Sequence, residues 1–249
     1  MDQAAHHRAT YEAYPHLTPD EFAEACHHLD SRYCRATLGA LRRSWRLHVR
    51  TALNLTSFSV GSDTATYLQI TRPLGSSSTA DDDDLVSSLG TFSFGELDEQ
   101  DAVSADDRML EMDEADEAVL PRQPSSTASS HGYVNYEIHY HPTYRAPCLW
   151  FSLNDLPAHE SAFDIDTVFR RLVPDEYKDS LRRVGSIGGI SADHHPLTGV
   201  PSFFVHPCLL GDAMDGFSCP KEDYLMVWLG LVGGCVGLWV PKEMALIPN

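Results

Sequence analysis

Residues 203–214 read "FFVHPCLLGDAM", placing Cys208 directly after His206 and Pro207 and just beyond the apolar run Phe203, Phe204 and Val205. A cysteine so placed has three possible chemistries: a buried core thiol, a metal ligand, or a nucleophile presented at the end of a strand. For the metal, His194, His195, His206, Cys208 and Cys219 fall within 26 residues and soft N/S donors suit zinc. Their spacings match no standard zinc motif, however, and Pro207 between two ligands would constrain both, so no metal site is expected. A thiol peptidase would need a histidine base and an orienting carboxamide, and no such signature surrounds the cysteine. The buried thiol competes best. Against it, Pro207 ends the strand and "LLGDAM" opens a loop, an exit where backbone donors are free and the sulfur is accessible.

The other five cysteines fit structural places. Cys26 and Cys34 lie on the first expected helix, Cys148 on a strand and Cys235 on a final helix, leaving Cys219, beside Pro220, as the rival nucleophile. Successive spacings of 8, 114, 60, 11 and 16 contain no Cys-x-x-Cys. Neither a disulfide framework nor a zinc ribbon is expected.

The elements around Cys208 follow from local pattern. Thr18-Pro19-Asp20-Glu21 predicts a capped helix start, with Phe22, Cys26, Leu29, Tyr33 and Ala40 as its apolar stripe. Residues 45–60 and 64–71 read as two strands joined by Gly61-Ser62-Asp63. In "YVNYEIHY" Val134, Tyr136, Ile138 and Tyr140 alternate with Asn135, Glu137 and His139, a strand with one wet face, and "YRAPCLWFSL" pairs with it. Asp164 to Thr167 opens a short helix ending near Pro174, and Asp175 to Arg183 reads as another. Gly185-x-x-Gly188-Gly189 lacks a suitably placed basic residue for a phosphate loop and reads as turn chemistry. Lys221 to Leu238 reads as a buried helix whose glycines allow close packing. The expected class is α+β: a four-stranded antiparallel sheet with helices packed on it, a single domain over 1–249.

That domain is interrupted by an acidic insert at 75–131. The chain carries a net charge of −18, but this segment holds 15 Asp or Glu against 2 Arg, leaving a net of only −5 elsewhere. Its low apolar content cannot offset chain entropy, so it reads as disordered and dispensable for chemistry. Nucleic-acid binding is disfavoured because no basic face is apparent. No signal peptide and no membrane-length apolar run is read, which predicts a cytoplasmic protein without stable membrane insertion.

His206-Pro207-Cys208, preceded by "HPLTGVPSFFV" and followed by "YLMVWLGLVGGCVGL", resembles the active-site region of the autophagy-related ubiquitin-like-conjugating enzymes. The stretch "YVNYEIHYHPTYRAPCLWF" resembles that family's third and fourth strands, with Tyr140, Tyr144 and Pro147 in matching places. The likeness covers most of the chain outside 75–131. It implies a ubiquitin-conjugating-enzyme-like fold and no cofactor. It also implies a thioester on Cys208 that passes a ubiquitin-like modifier, of the autophagy protein 12 type, from its activating enzyme to a lysine of an acceptor of the autophagy protein 5 type. Ordinary ubiquitin-conjugating enzymes carry an asparagine after an upstream His-Pro. Here His-Pro abuts the cysteine and that asparagine is missing, so His206 or backbone amides are the candidates for oxyanion stabilisation.

The same resemblance admits a sister branch that transfers its modifier to phosphatidylethanolamine. The Trp228-containing C-terminal segment and a first helix without a basic amphipathic face favour the protein-acceptor branch. A non-enzymatic scaffold, with Cys208 incidental, is the third reading. For binding, Asn135, Glu137 and His139 form an exposed polar face suited to the acceptor. Phe94 and Leu97, three apart among acids, match short motifs that add as a strand to ubiquitin-like proteins.

Overall fold

The computed structural model describes residues 11–53, 64–75, 132–182, 189–217 and 219–247. Helix α1, Pro19–Arg35, starts as its sequence dictates. Glu21 donates its amide to Thr18 Oγ1 at 3.2 Å while the Glu21 carboxylate accepts the Thr18 amide at 2.8 Å. Phe22, Ala25, Cys26, Leu29 and Tyr33 are buried on one stripe. Ala40, expected on that stripe, lies beyond the helix end and is exposed. A single turn, α2 (Leu41–Ser44), leads into the sheet.

The strands are β1 (Arg46–Leu53), β2 (Thr64–Pro73), β3 (Tyr133–His141), β4 (Ala146–Asn154), β5 (Ile190–His194) and β6 (Pro201–Val205). They form one antiparallel sheet in the order β1-β2-β3-β4-β6-β5. The expected mixed α and β architecture is present, but the sheet has six strands and not four. The apolar run before Cys208 joins β4 through Leu149↔Val205, Trp150↔Phe204 and Phe151↔Phe203. Its own partner, β5, is the short polar stretch "ISADH" inside the glycine-rich region, which carries no strand pattern of its own. The expected turn at residues 61–63 and nearly all of the 75–131 insert, including Phe94 and Leu97, lie outside the described residues.

One sheet face builds the core. Leu47, Leu68, Ile70, Val134, Tyr136, Ile138, Leu149, Phe151, Leu153, Phe203 and Val205 are buried there, with α1 packed on β1 and β2. Helices α3 (Ile165–Arg171) and α4 (Asp175–Arg182) follow β4, α3 capped by Asp164, which accepts the Thr167 amide at 2.9 Å.

After β6 a 3₁₀ turn (Pro207–Leu209) runs into α5, Leu210–Asp215, where the sequence reads as a loop. The expected long helix over 221–238 is broken: a 3₁₀ turn (Lys221–Asp223), α6 (Tyr224–Val232), a second 3₁₀ turn (Gly233–Val236), and later α7 (Lys242–Ala245). The break is built on glycine. Leu238 donates its amide to Gly233 O at 2.8 Å, and a Cβ on Gly233 would lie 2.2 Å from the Leu238 carbonyl oxygen. Gly237 adopts φ +66° to complete the reversal.

This C-terminal segment closes over the N-terminal one. Tyr224 packs edge-on against Tyr11 and donates its hydroxyl to Pro15 O at 2.6 Å. Arg32 pairs with Asp223 and donates to the Met244 and Ile247 carbonyls at 3.3 Å each. Tyr136 of β3 reaches through the core to donate to Val236 O at 2.7 Å.

Candidate active site

Cys208 sits on the turn that follows β6 and is exposed. Two bonds fix that turn. The His206 amide donates to Gly189 O at 2.9 Å, and His206 Nδ1 accepts the Cys208 amide at 3.2 Å. Histidine thus serves as the N-cap of the turn, a place usually taken by Ser, Thr, Asn or Asp. Because Nδ1 accepts, the proton of the neutral ring is on Nε2. The Leu210 amide bonds Pro207 O. The amides of Cys208 and Leu210 are therefore both engaged within the turn.

The turn between β3 and β4 leans on this histidine. Tyr144 meets the His206 ring edge-on at 5.5 Å and the His141 ring at 4.8 Å, and His141 Nδ1 accepts the Tyr144 amide at 3.4 Å. Burial pushes the His141 imidazole below its usual range, and the neighbouring His206 adds to this.

The remaining cysteines divide by exposure. Cys26, Cys148, Cys219 and Cys235 are buried, and Cys34 is exposed on the last turn of α1. Burial raises the thiols of Cys148 and Cys235 to about 12 and pushes Cys26 up as well. The rival Cys219 lies 3.8 Å from the Tyr14 hydroxyl, 6% exposed and raised by burial.

Asn135, Glu137 and His139 do share one face of β3, but the expectation that this face is solvent-exposed is corrected. His139 is buried and Glu137 is only partly open, because His195, the residue after β5, folds over them. Glu137 Oε2 contacts His139 Nε2 at 2.9 Å and His195 Nε2 at 3.0 Å, while Oε1 accepts from Asn135 Nδ2 at 2.9 Å. Tyr67 stacks on His139 at 4.7 Å, and Trp150 meets His195 edge-on at 5.5 Å. Nothing in the local pattern of β3 signals this cover, since His195 is 58 residues beyond Glu137 in the chain.

Two histidines and a carboxylate whose ligand atoms lie within 4.8 Å of one another have the composition of a metal centre. Hydrogen bonding argues otherwise. His195 Nδ1 accepts the amides of Leu197 and Thr198 at 3.3 and 3.4 Å, so its Nε2 bears a proton and has no lone pair for an ion. The group is a charge-assisted hydrogen-bond network.

Burial alone would push the Glu137 carboxyl up, but the hydrogen bonds from His139 and His195 more than offset it and hold it at about 2. Burial pushes His139 down, further than Glu137 pulls it up. Both groups bind protons less readily folded than unfolded, so their stabilisation is present at neutral pH and is lost on acidification. The His139 part fades as pH falls below about 6.5, and the Glu137 part as it falls from about 4.5 toward 2. The unfolding free-energy difference between wild type and Glu137→Gln will therefore shrink, by on the order of 2 kcal/mol, between pH 4.5 and the lowest pH at which the fold survives. A difference that is flat with pH in urea titrations would contradict the network.

The family model described as "Autophagocytosis associated protein, active-site domain" matches residues 21–243. The chain is similar to the ubiquitin-like-conjugating enzyme ATG10 of Gibberella zeae, 59% identical over 236 residues, which span 94% of this chain and 98% of that protein. The ATG10 of Arabidopsis thaliana is 29% identical over 159 residues, 60% of this chain and 68% of that one. The ATG10 of Homo sapiens is 29% identical over 145 residues, 55% and 64% of the two chains.

Proposed function

The chain belongs to the autophagocytosis-associated active-site family, and from that premise we propose that it carries a ubiquitin-like modifier as a thioester on Cys208 and passes it to a lysine of an acceptor protein. It is a ubiquitin-like-conjugating enzyme of autophagy. The observation that supports Cys208 as carrier is its position. It is an exposed thiol on a turn pinned by His206 at the end of a core strand, whereas four of the other five are buried.

In loading, the Cys208 sulfur attacks the carbonyl carbon of the modifier held on its activating enzyme, and that enzyme's thiolate leaves. In transfer, the acceptor amine attacks the same carbonyl, the C–S bond breaks, an isopeptide bond forms and Cys208 is released. The lysine, near pKa 10.4 in water, must first shed a proton. Both steps pass through a tetrahedral oxyanion, and His206 Nε2–H is the donor this reading assigns to it. His206→Ser tests the assignment, since serine retains a capping oxygen while deleting the ring. We expect both steps to slow by about 100-fold, the scale of losing one oxyanion donor, with melting unchanged. Wild-type rates in that variant would reduce His206 to a cap.

The modifier is of the autophagy protein 12 type and the acceptor of the autophagy protein 5 type in this reading, with the activating enzyme as third partner and the cytoplasm as location. Among the described residues no helix is long and apolar enough to cross a membrane. The fold is taken as a ubiquitin-conjugating-enzyme-like single domain, extended by the β5–β6 hairpin and interrupted by the acidic insert. The outer face of the sheet is the surface offered to the acceptor, through the partly open Asn135 and Glu137 of the trio Asn135, Glu137 and His139, the last of which is buried. Phe94 and Leu97 keep their proposed role as a short motif that docks on a ubiquitin-like protein. The test is a non-reducing gel after incubation with activating enzyme, adenosine triphosphate and modifier.

A further inference from the structure

The β5–β6 hairpin carries Cys208, yet little of the sheet holds it. β5 is an edge strand, and β6 shares only three register pairs with β4. At the end of the hairpin nearest the cysteine, His206 bonds Gly189. At the far end the turn is organised mainly around His195, with the Val200 amide also donating to Thr198 Oγ1 at 3.3 Å. The His195 amide donates to Val200 O and its carbonyl accepts from Gly199, both at 2.9 Å, while its Nδ1 accepts from Leu197 and Thr198. That leaves the ring's Nε2–H to reach across the sheet to Glu137 on β3, at 3.0 Å. Glu137 is held in turn by Asn135 at 2.9 Å and by Gln69 at 3.5 Å, and Gln69 by Arg50 at 3.3 Å. A line of rings runs the same way. His195 meets Trp150 at 5.5 Å, Trp150 stacks on Phe204 at 4.7 Å, and Phe204 lies 6.0 Å from His206.

We propose that Glu137 and His195 are positioning residues for the thioester chemistry: their hydrogen bond pins the distal turn of the β5–β6 hairpin to β3 and so fixes the turn bearing His206 and Cys208. β6 is five residues long, about 16 Å, and acts as a stiff arm whose far end is clamped. Release of the clamp tilts the arm and displaces the sulfur. Misplacement of about 1 Å is enough to slow a reaction by orders of magnitude. The inference rests on the reading of Cys208 as the thioester residue.

The test compares wild type, His195→Ala and His195→Gln, whose amide N–H stands near the place of Nε2–H. Amide hydrogen exchange and single-turnover loading at saturating activating enzyme are measured on each full-length chain. In His195→Ala, exchange rises over residues 190–205 but not over α1, and loading slows at least tenfold with unchanged dependence on activating-enzyme concentration. In His195→Gln both return to within about twofold of wild type. Unchanged exchange and loading in the alanine variant would overturn the proposal, as would a rise in exchange over the whole fold. Stoichiometric zinc in purified wild type that is lost from His195→Ala would overturn it too, by making the cluster a metal centre. A reductant-sensitive adduct that persists in Cys208→Ser would sink the thioester reading alone, because the exchange result does not depend on it.

Discussion

Cys208→Ser protein, incubated with activating enzyme, adenosine triphosphate and modifier, will lose the reductant-sensitive adduct completely and accumulate a reductant-resistant ester in its place. The alkoxide of an oxygen ester is a far poorer leaving group than a thiolate, so the acceptor amine turns it over slowly. The same gel with Cys219→Ser will look like wild type, because that sulfur is buried beneath Tyr14 and raised by its burial. Cys34→Ser is the sharper control, since Cys34 is exposed as Cys208 is but stands on the final turn of α1. Loss of the reductant-sensitive band in either control, with its retention in Cys208→Ser, would sink the assignment.

The largest stability effect will come from Tyr136, on the strand that carries Glu137 on its opposite face. Its side chain is fully buried, packs against Phe151 at 6.4 Å between centroids, and donates its hydroxyl to Val236 O. Tyr136→Ala removes a ring from a close-packed core and will cost about 3–5 kcal/mol, as large aromatic truncations do. Tyr136→Phe keeps the volume and strands the Val236 carbonyl, and will cost about 1–2 kcal/mol. Urea midpoints at constant m-value give both numbers. Equal costs for the two variants would mean that the hydrogen bond, and not the ring, carries the stabilisation.

What could be read from the sequence is what local chemistry specifies. The capping box at Thr18 and Glu21, the alternation of β3 and the Asp164 cap each need only neighbouring residues, and each is present. The short runs were harder. β5 is polar and at a sheet edge, so its five residues carry no period that separates them from a loop. The helix over 221–238 has continuous hydrophobicity, but Gly233 permits a chain reversal that hydropathy does not encode. The site divides in the same way. The Cys208 turn was legible from His206-Pro207-Cys208, whereas the burial of Glu137 and His139 was not. Their alternation correctly placed them on the face away from the core, and only the distant His195 turns that face into an enclosed network.

The closure of residues 214–247 over residues 11–35 sets the order in which the chain can complete itself during synthesis. Tyr14 donates to the carbonyl of Met214, 200 positions away, and Arg32 to that of Met244, 212 away. On a ribosome adding about 5–20 residues per second, the apolar stripe of α1 emerges on the order of ten seconds or more before its C-terminal partners. Contacts of such sequence separation raise the contact order and so slow folding. During that interval Tyr11 and Tyr14 lack Tyr224, the ring both of them pack against. A chain halted after β6 would hold all six strands, with α1 against β1 and β2, and still lack the segment that closes over residues 11–35.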